Sequence, residues 1–421
     1  MTPKDKRAWA WVPSLYFTQG IPYVLVVAVS VVLYKNLGVS NAEIGLYTSW
    51  LYLPWVLKPL WSPIVELKST KRNWFLSMQA LISLGLLGVG LSIPTNGFLV
   101  TSLACFWMIA FASATNDIAS DGYYMLALSQ KKQSFFVGMR STFYRLAMIT
   151  GQGLIVIVAG YLENRFIDPA RAWSLTLIGT AVLMLIMTLA NFVTTPAYAD
   201  QAVPGKPERF FDVFRSFFQR PGIGYALAFV LTYRLGESQL VKMAAPFLLD
   251  GSSAGGLNYS TEDVGVIYGT VGVICLSIGG ILGGIVISRD GLKKWMLPMM
   301  LALNLPNVLY ALLALFKANQ LWAVMGTVIL EQFGYGFGFA AFLIYLIYLA
   351  DGPAKTAHYA LATGFMALGM MIPGMISGYV QEYLGYSGFF IWVLLASLPA
   401  FLLLFKIKYP ATYGQKAAEH E

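Results

Sequence analysis

Two aspartates, Asp117 and Asp121, stand four residues apart in "ATNDIASDGYY", directly after the apolar run "FLVTSLACFWMIAFA". Spacing i, i+4 puts both carboxylates on one face of a helix. A charge in such a run costs at least about 2.5–3.5 kcal/mol on membrane-insertion scales, so each acid must be paired, hydrated or neutral. Lys58, Arg140 and Arg145 lie in the neighbouring apolar runs. At a rise of about 1.5 Å per residue, Asp121 lies roughly 12 Å and Asp117 roughly 18 Å from the basic-loop end of its helix. On the same count Arg140 lies roughly 9 Å deep, Arg145 roughly 16 Å and Lys58 roughly 12 Å. Depth therefore predicts Asp117 with Arg145, and Asp121 with Arg140 or Lys58. A pair that stays closed fastens two helices. A pair that opens frees a carboxylate to take up a proton, which links protonation to one conformation.

A second set lies later in the chain. Arg234 and Glu237 are three apart and share a helical face, with Lys242 beyond them. Glu331 is the lone acid of "VILEQFGYGFGFAAF" and is read as a proton carrier, a substrate contact or the partner of Arg234. Tyr16, Gln19, Asn116, Gln152, Tyr233 and Gln332, with Arg234 and Glu237, form the expected cavity lining. Neutral donors, acceptors and aromatic faces of this kind suit sugar hydroxyls and amides. His358 is read as an interfacial hydrogen-bonding residue.

The elements that carry these residues span a membrane. The chain has 421 residues, 57% hydrophobic and 11% charged, against about 25% charged in an average soluble domain. Mean hydropathy is +0.65. Apolar runs long enough to cross a bilayer recur near 10–34, 43–65, 74–92, 98–128, 134–160, 171–195, 221–249, 262–287, 294–316, 321–350, 355–380 and 386–406. The first continues too far for a signal peptide and is read as a retained span. The fold class is thus an all-α membrane protein of twelve transmembrane helices.

Net charge is +8, but the Lys and Arg residues sit in short loops, a pattern that sets topology rather than nucleic-acid binding. Lys4, Lys6, Arg7, Lys68, Lys71, Arg72, Lys131, Lys132, Lys206, Arg209, Arg215, Arg220, Arg289, Lys293, Lys294, Lys355, Lys406, Lys408 and Lys416 fall on one side. The other holds Lys35, Arg165 and Lys317, with Arg171 at a boundary. Both termini are therefore expected in the cytoplasm. Cys105 and Cys275 lie apart in apolar runs, and the two histidines are His358 and His420, so no metal or other cofactor is expected.

The polar stretch 196–220 divides the chain into a six-helix bundle at 1–195 and another at 221–410, with a tail at 411–421. Its "FFDVFRSFF" is read as an interfacial helix or a plain linker. "NAEIGLY" (Asn41–Tyr47) resembles "TEDVGVIY" (Thr261–Tyr268), an offset of 220 that also aligns Gln19 with Gln239. A parallel repeat of six-span units follows.

"GGIVISRDGLKK" resembles the loop motif of the major facilitator superfamily, with Gly284, Arg289, Gly291, Lys293 and Lys294 in place and Ser288 where the motif has Asp. The loop after span two is more divergent, keeping Glu66, Lys71 and Arg72. "IAFASATNDIASDGYY" followed by "FYRLAMITGQG" resembles the AmpG-type muropeptide permeases. "GIP", "LKPLWSP", "YRLGE", "DVGVIYGTVG", "ILEQFGYGFG" and "HYALATGFMALG" agree with it across nearly the whole chain. Span eleven, "ALGMMIPG", lacks an Arg that the family often carries.

The resemblance implies a monomeric carrier of the inner membrane, taking up a saccharide or glycopeptide with protons by alternating access. Members of this group that handle siderophores or acetyl-CoA make an acyl-CoA or siderophore carrier, or an exporter, the alternatives. A channel fits the repeat less well. A membrane-embedded enzyme lacks a nucleophile–base set and an aqueous domain.

Overall fold

In the computed structural model, residues 3–67, 69–128, 130–197, 215–351 and 355–415 are described. All twelve expected spans are helical. They are α1 (Pro3–Val24, a π-helical turn Leu25–Val29, and Ser30–Asn36), α2 (Asn41–Trp50 and Leu53–Leu67), α3 (Lys71–Ser92) and α4 (Phe98–Ala127). Next come α5 (Gln130–Ile149, a π-helical turn Thr150–Ile155, and Val156–Phe166), α6 (Pro169–Thr194) and α7 (Ile223–Thr232 and Leu235–Leu249). Then follow α8 (Thr261–Val264, a π-helical stretch Gly265–Gly272, and Val273–Asp290), α9 (Leu292–Asn304 and Asn307–Phe316) and α10 (Leu321–Leu349). A run Lys355–Leu404 carries non-helical dihedrals at Gly385 and comprises two spans, α11 (355–384) and α12 (386–404).

By length and composition alone, nine described helices are long and apolar enough to cross a membrane. The difference from twelve has three sources: α2 and α7 are each interrupted, and α11 and α12 run together across Gly385. The expected linker lies largely outside the described residues, as does the tail beyond residue 415. Of "FFDVFRSFF", residues 215–218 are described and helical.

The helix starts follow local chemistry. Asp168 caps α6, accepting from the Arg171 amide at 3.2 Å, with Pro169 in the first turn. Thr70 caps α3 in the same way through Asn73 at 3.1 Å. The repeat has a structural counterpart at its best-matched point. Ser40 and Ser260, 220 residues apart, each cap a helix in a full capping box, with Glu43 and Asp263 closing it.

The chain forms two compact units. One comprises Met1–Val39, Leu57–Pro204 and Ser260–Thr270; the other comprises Ser40–Val56, Gly205–Tyr259 and Val271–Glu421. The two capped segments thus each belong to the unit opposite the half they come from. In the first unit a core of Trp11, Phe75 and Tyr123 packs edge-to-face, with ring centroids 5.1 Å and 5.3 Å apart. In the second, Tyr233 stacks on Phe342 at 4.4 Å and its hydroxyl donates to the Gly338 carbonyl at 2.8 Å.

Backbone meets backbone within the first unit. A Cβ on Gly269 would lie 1.8 Å from the Gln152 carbonyl oxygen. No side chain can move aside there, so Gly269→Ala is expected to cost about 1–3 kcal/mol of stability. Gly284→Ala, whose Cβ would meet nothing within 4 Å, is the control. Thermal unfolding of the two purified variants checks both, and equal midpoints would refute the close approach.

Candidate functional site

In the first unit, α4 presents Asp117 and Asp121 to three neighbouring spans. The Asp121 carboxylate pairs with the Arg140 guanidinium of α5 at 3.0 Å and accepts from the Tyr16 hydroxyl of α1 at 3.1 Å. The same guanidinium lies over the Tyr16 ring at 4.5 Å and the Tyr124 ring at 5.7 Å. Such stacking on top of an ion pair holds the cation in place. One turn further along α4, Asp117 accepts from Gln19 Nε2 at 2.9 Å and meets Lys58 Nζ of α2 at 3.5 Å.

Asp121 with Arg140 is as depth predicted; Asp117 with Arg145 is not. Arg145 makes no ion pair among the described residues, and Lys58 takes its place at Asp117 rather than reaching Asp121. The Lys58 pair is long and partly open to solvent, its side chains 31% and 18% exposed. That geometry favours a contact made and broken over a permanent fastening.

Behind the acids lies a second polar layer that hydropathy did not single out. Asn191 of α6 donates to Thr18 Oγ1 of α1 at 3.1 Å and to Gln79 Oε1 of α3 at 3.0 Å, and accepts from Ser14 at 2.5 Å. Gln79 in turn donates to Asn116 Oδ1 at 3.4 Å. Asn116 is therefore a buried member of this network rather than a wall of an open cavity. Gln79 is the one amide in its apolar run, a visible signal. Gln152 lies in the π-helical turn of α5 and is half-buried. Gln19 keeps one buried oxygen, Oε1, without a hydrogen-bond donor among the described residues.

Glu163 of α5 is a further acid with a built environment. Its carboxylate accepts from Trp173 Nε1 at 2.7 Å, Asn36 Nδ2 at 2.9 Å and Thr261 Oγ1 at 2.5 Å, tying four helices of the first unit.

In the second unit the expected pairs are absent. Arg234 bonds to neither Glu237 nor Glu331. Its guanidinium lies over the rings of Tyr335 at 4.8 Å and Phe339 at 5.0 Å and donates to the Tyr335 hydroxyl. Glu331 is fully buried and accepts from Gln332 Nε2 at 3.0 Å and the Tyr310 hydroxyl at 3.4 Å. Glu237 is fully buried, and neither of its oxygens has a donor among the described residues. Tyr233 is consumed by packing, as its stacking on Phe342 shows. Lys242 donates to the Thr48 hydroxyl at 2.9 Å and lies 5.1 Å from the Tyr52 ring centre. His358 bonds Ser216 through Nε2 at 2.9 Å and Arg220 through Nδ1 at 2.6 Å, the expected hydrogen-bonding role.

In the loop motif, Asp290 does the work expected of an acid at position 288. It meets Arg289 at 3.1 Å and Lys294 at 3.4 Å and accepts from Trp295 Nε1 at 2.9 Å. Gly291 needs its identity, with φ +85° and the Ala411 carbonyl 2.7 Å from where a Cβ would stand. Gly284 packs against nothing, and Gly283 makes the close approach to α10 instead. Lys293 is exposed to solvent.

Comparison with known proteins bears on this arrangement. The profile described as Major Facilitator Superfamily matches residues 14–241, more than half of the chain. The chain belongs to the major facilitator superfamily. It is a membrane transporter of that superfamily, not an enzyme. The anhydromuropeptide permease of Escherichia coli K12 is 25% identical over 412 residues, covering 93% of this chain and 77% of that protein. An uncharacterized protein of Haemophilus influenzae is 26% identical over 411 residues, covering 92% of each. The likeness to AmpG-type permeases thus extends over nearly the whole chain. Among solved structures, a nucleoside transporter NupG mutant matches with TM-score 0.74 at 15% identity, over 94% of this chain and 98% of that one. A bacterial homologue of the human lysosomal transporter Spinster matches with TM-score 0.73 at 14% identity, over 99% and 100%. These two share the fold of twelve helices.

Proposed function

We propose that this transporter imports a muropeptide-like saccharide, of the N-acetylglucosaminyl-anhydromuropeptide type, together with protons across the inner membrane. It works by alternating access, as a monomer with both termini cytoplasmic. The observation that carries the coupling is the loose Asp117–Lys58 pair, backed by the firmer Asp121–Arg140–Tyr16 cluster one turn away. A carboxylate whose cation can leave is a carboxylate that can take a proton, and the leaving is what a change of conformation supplies. The substrate class rests on similarity to an anhydromuropeptide permease over 93% of this chain and 77% of that protein. It fits the neutral groups beside the acids, Tyr16 and Gln19 with its unsatisfied oxygen.

Purified protein in proteoliposomes with an imposed pH gradient tests this directly. Anhydro-muropeptide is expected to accumulate when the outside is acidic, and to equilibrate without a gradient. Accumulation of siderophore or acyl-CoA instead would overturn the substrate assignment. Accumulation with the opposite gradient would make the protein an exporter, and large currents without saturation would make it a channel.

A further inference from the structure

Span α7 is interrupted at one place. The helix stops at Thr232 and restarts at Leu235, and between them Arg234 has φ −113° and ψ 23°. In an unbroken helix, Arg234 and Glu237 would lie on one face within pairing distance. The interruption carries the guanidinium away to the rings of Tyr335 and Phe339, where its Nε is also left without an acceptor among the described residues. Glu237 remains behind, fully buried, with no donor to either oxygen among the described residues.

A second carboxylate lies at about the same depth. Arg234 touches Tyr335 on α10. Three residues further along α7, about 4.5 Å, is Glu237; four residues from Tyr335 in the same direction, about 6 Å, is Glu331. Glu331 has donors, Gln332 Nε2 to both its oxygens and the Tyr310 hydroxyl, that support a charged form. Glu237 has no such support, and an isolated buried carboxylate takes up a proton rather than stay ionised. Environments that differ this way assign acid and base between two like groups.

Among the described residues, the other charged or titratable groups along this stretch are Tyr233 and Lys242 on α7, Tyr52 in the break of α2, Tyr310 on α9 and Tyr335 on α10. From α12 and α11, Val393 lies against Gly236, Gly369 against Leu231 and Gly374 against the Lys242 side chain, while Trp392 Nε1 donates to Gln239 at 2.9 Å and Tyr386 packs on Phe247 near the far end of α7. Lys242 is engaged with Thr48 and Tyr52. Among the described residues, the counter-charge acting on Glu237 is that of Arg234.

We propose that Glu237 is a proton-binding site of the second unit, loaded while α7 is interrupted at Arg234. It is emptied when the helix closes and Arg234 turns onto the same face. The proton comes from water to the Glu237 carboxylate and returns to water; Arg234 stays charged throughout. The part this site plays in coupling rests on the reading of the protein as a proton-driven carrier, whereas the protonation of Glu237 does not.

Infrared difference spectra of the reconstituted full-length protein across a pH series test it. The wild type is expected to show a protonated-carboxyl carbonyl band that Glu237→Gln loses and Glu331→Gln keeps. Glu237→Asp, a milder change, should keep the band at a shifted frequency, which secures the assignment if the Gln variant fails to fold. In Arg234→Gln the band should survive to a pH at which the wild-type band has gone. A band unchanged in the Glu237 variants would overturn the site. An Arg234→Gln band vanishing at the wild-type pH would overturn the switch. A band assigned to Glu237 in a protein that shows no gradient-driven uptake would leave the site standing and remove the coupling.

Discussion

Asp117→Asn is expected to end accumulation while leaving the protein folded. With one proton carried per substrate, each unit of pH gradient supports about tenfold accumulation, ~1.4 kcal/mol of stored free energy. The variant should only equilibrate its substrate. The reason is local. Asparagine keeps an oxygen for Gln19 Nε2, now 2.9 Å from the Asp117 carboxylate, and fills the same volume. It can neither take up nor release a proton. The Lys58 ammonium loses its partner, but at 31% side-chain exposure it retains contact with solvent, so the loss to stability should stay near the about 1 kcal/mol of an exposed pair. Uptake with and without a pH gradient, beside a thermal midpoint, separates the two effects. Wild-type accumulation in the variant would remove Asp117 from the coupling.

How far the architecture was readable from residues alone differs between its levels. Hydropathy placed all twelve spans, because a bilayer demands length and apolarity and little else. It did not show the interruptions of α2 and α7 or the π-helical turns of α1, α5 and α8. A change of pitch over a few residues alters no residue's polarity, so nothing in an averaged pattern registers it. The division into units was half readable. The matching segments after Ser40 and Ser260 were visible as a repeat, but their packing with the opposite unit depends on backbone contacts, such as Gly269 on Gln152, that a letter code does not rank.

The candidate site shows the same limit. Depth along a helix is one coordinate and direction around it is another. Arg140 and Arg145 are five residues apart, about 140° around the axis at 3.6 residues per turn, so they cannot both face α4. Asp117 and Asp121, four apart, differ by only about 40° and do face together. Depth alone therefore found Asp121 with Arg140 and misplaced Arg145. Lys58 was misassigned for a related reason: α2 restarts at Leu53, and counting rise from its far end says nothing of the new direction. Arg234 with Glu237 failed because the helix restarts only at Leu235, leaving Arg234 as its N-cap in non-helical dihedrals with its guanidinium over Tyr335 and Phe339. Glu163 went unnoticed because its three donors come from residues far apart in sequence.

Lys58→Met tests the revised pairing with the second large effect. It removes the cation and leaves Asp117, 18% exposed, with Gln19 as its remaining neutral donor. The loss should fall between the about 1 kcal/mol of an exposed pair and the about 3–5 kcal/mol of a buried one. Adding Asp117→Asn neutralises the stranded acid, so the double variant should regain stability while still failing to accumulate substrate. That split distinguishes a coupling pair from a fastening, because a fastening would recover transport along with stability. The cycle also decides between the two cations. Lys58 with Asp117 should be coupled by more than about 0.5 kcal/mol, whereas Arg145→Gln with Asp117→Asn should be additive to within about 0.3–0.5 kcal/mol, as for residues without a shared contact. Coupling to Arg145 and none to Lys58 would mean that the face of α5 turned toward Asp117 is the one depth alone predicts.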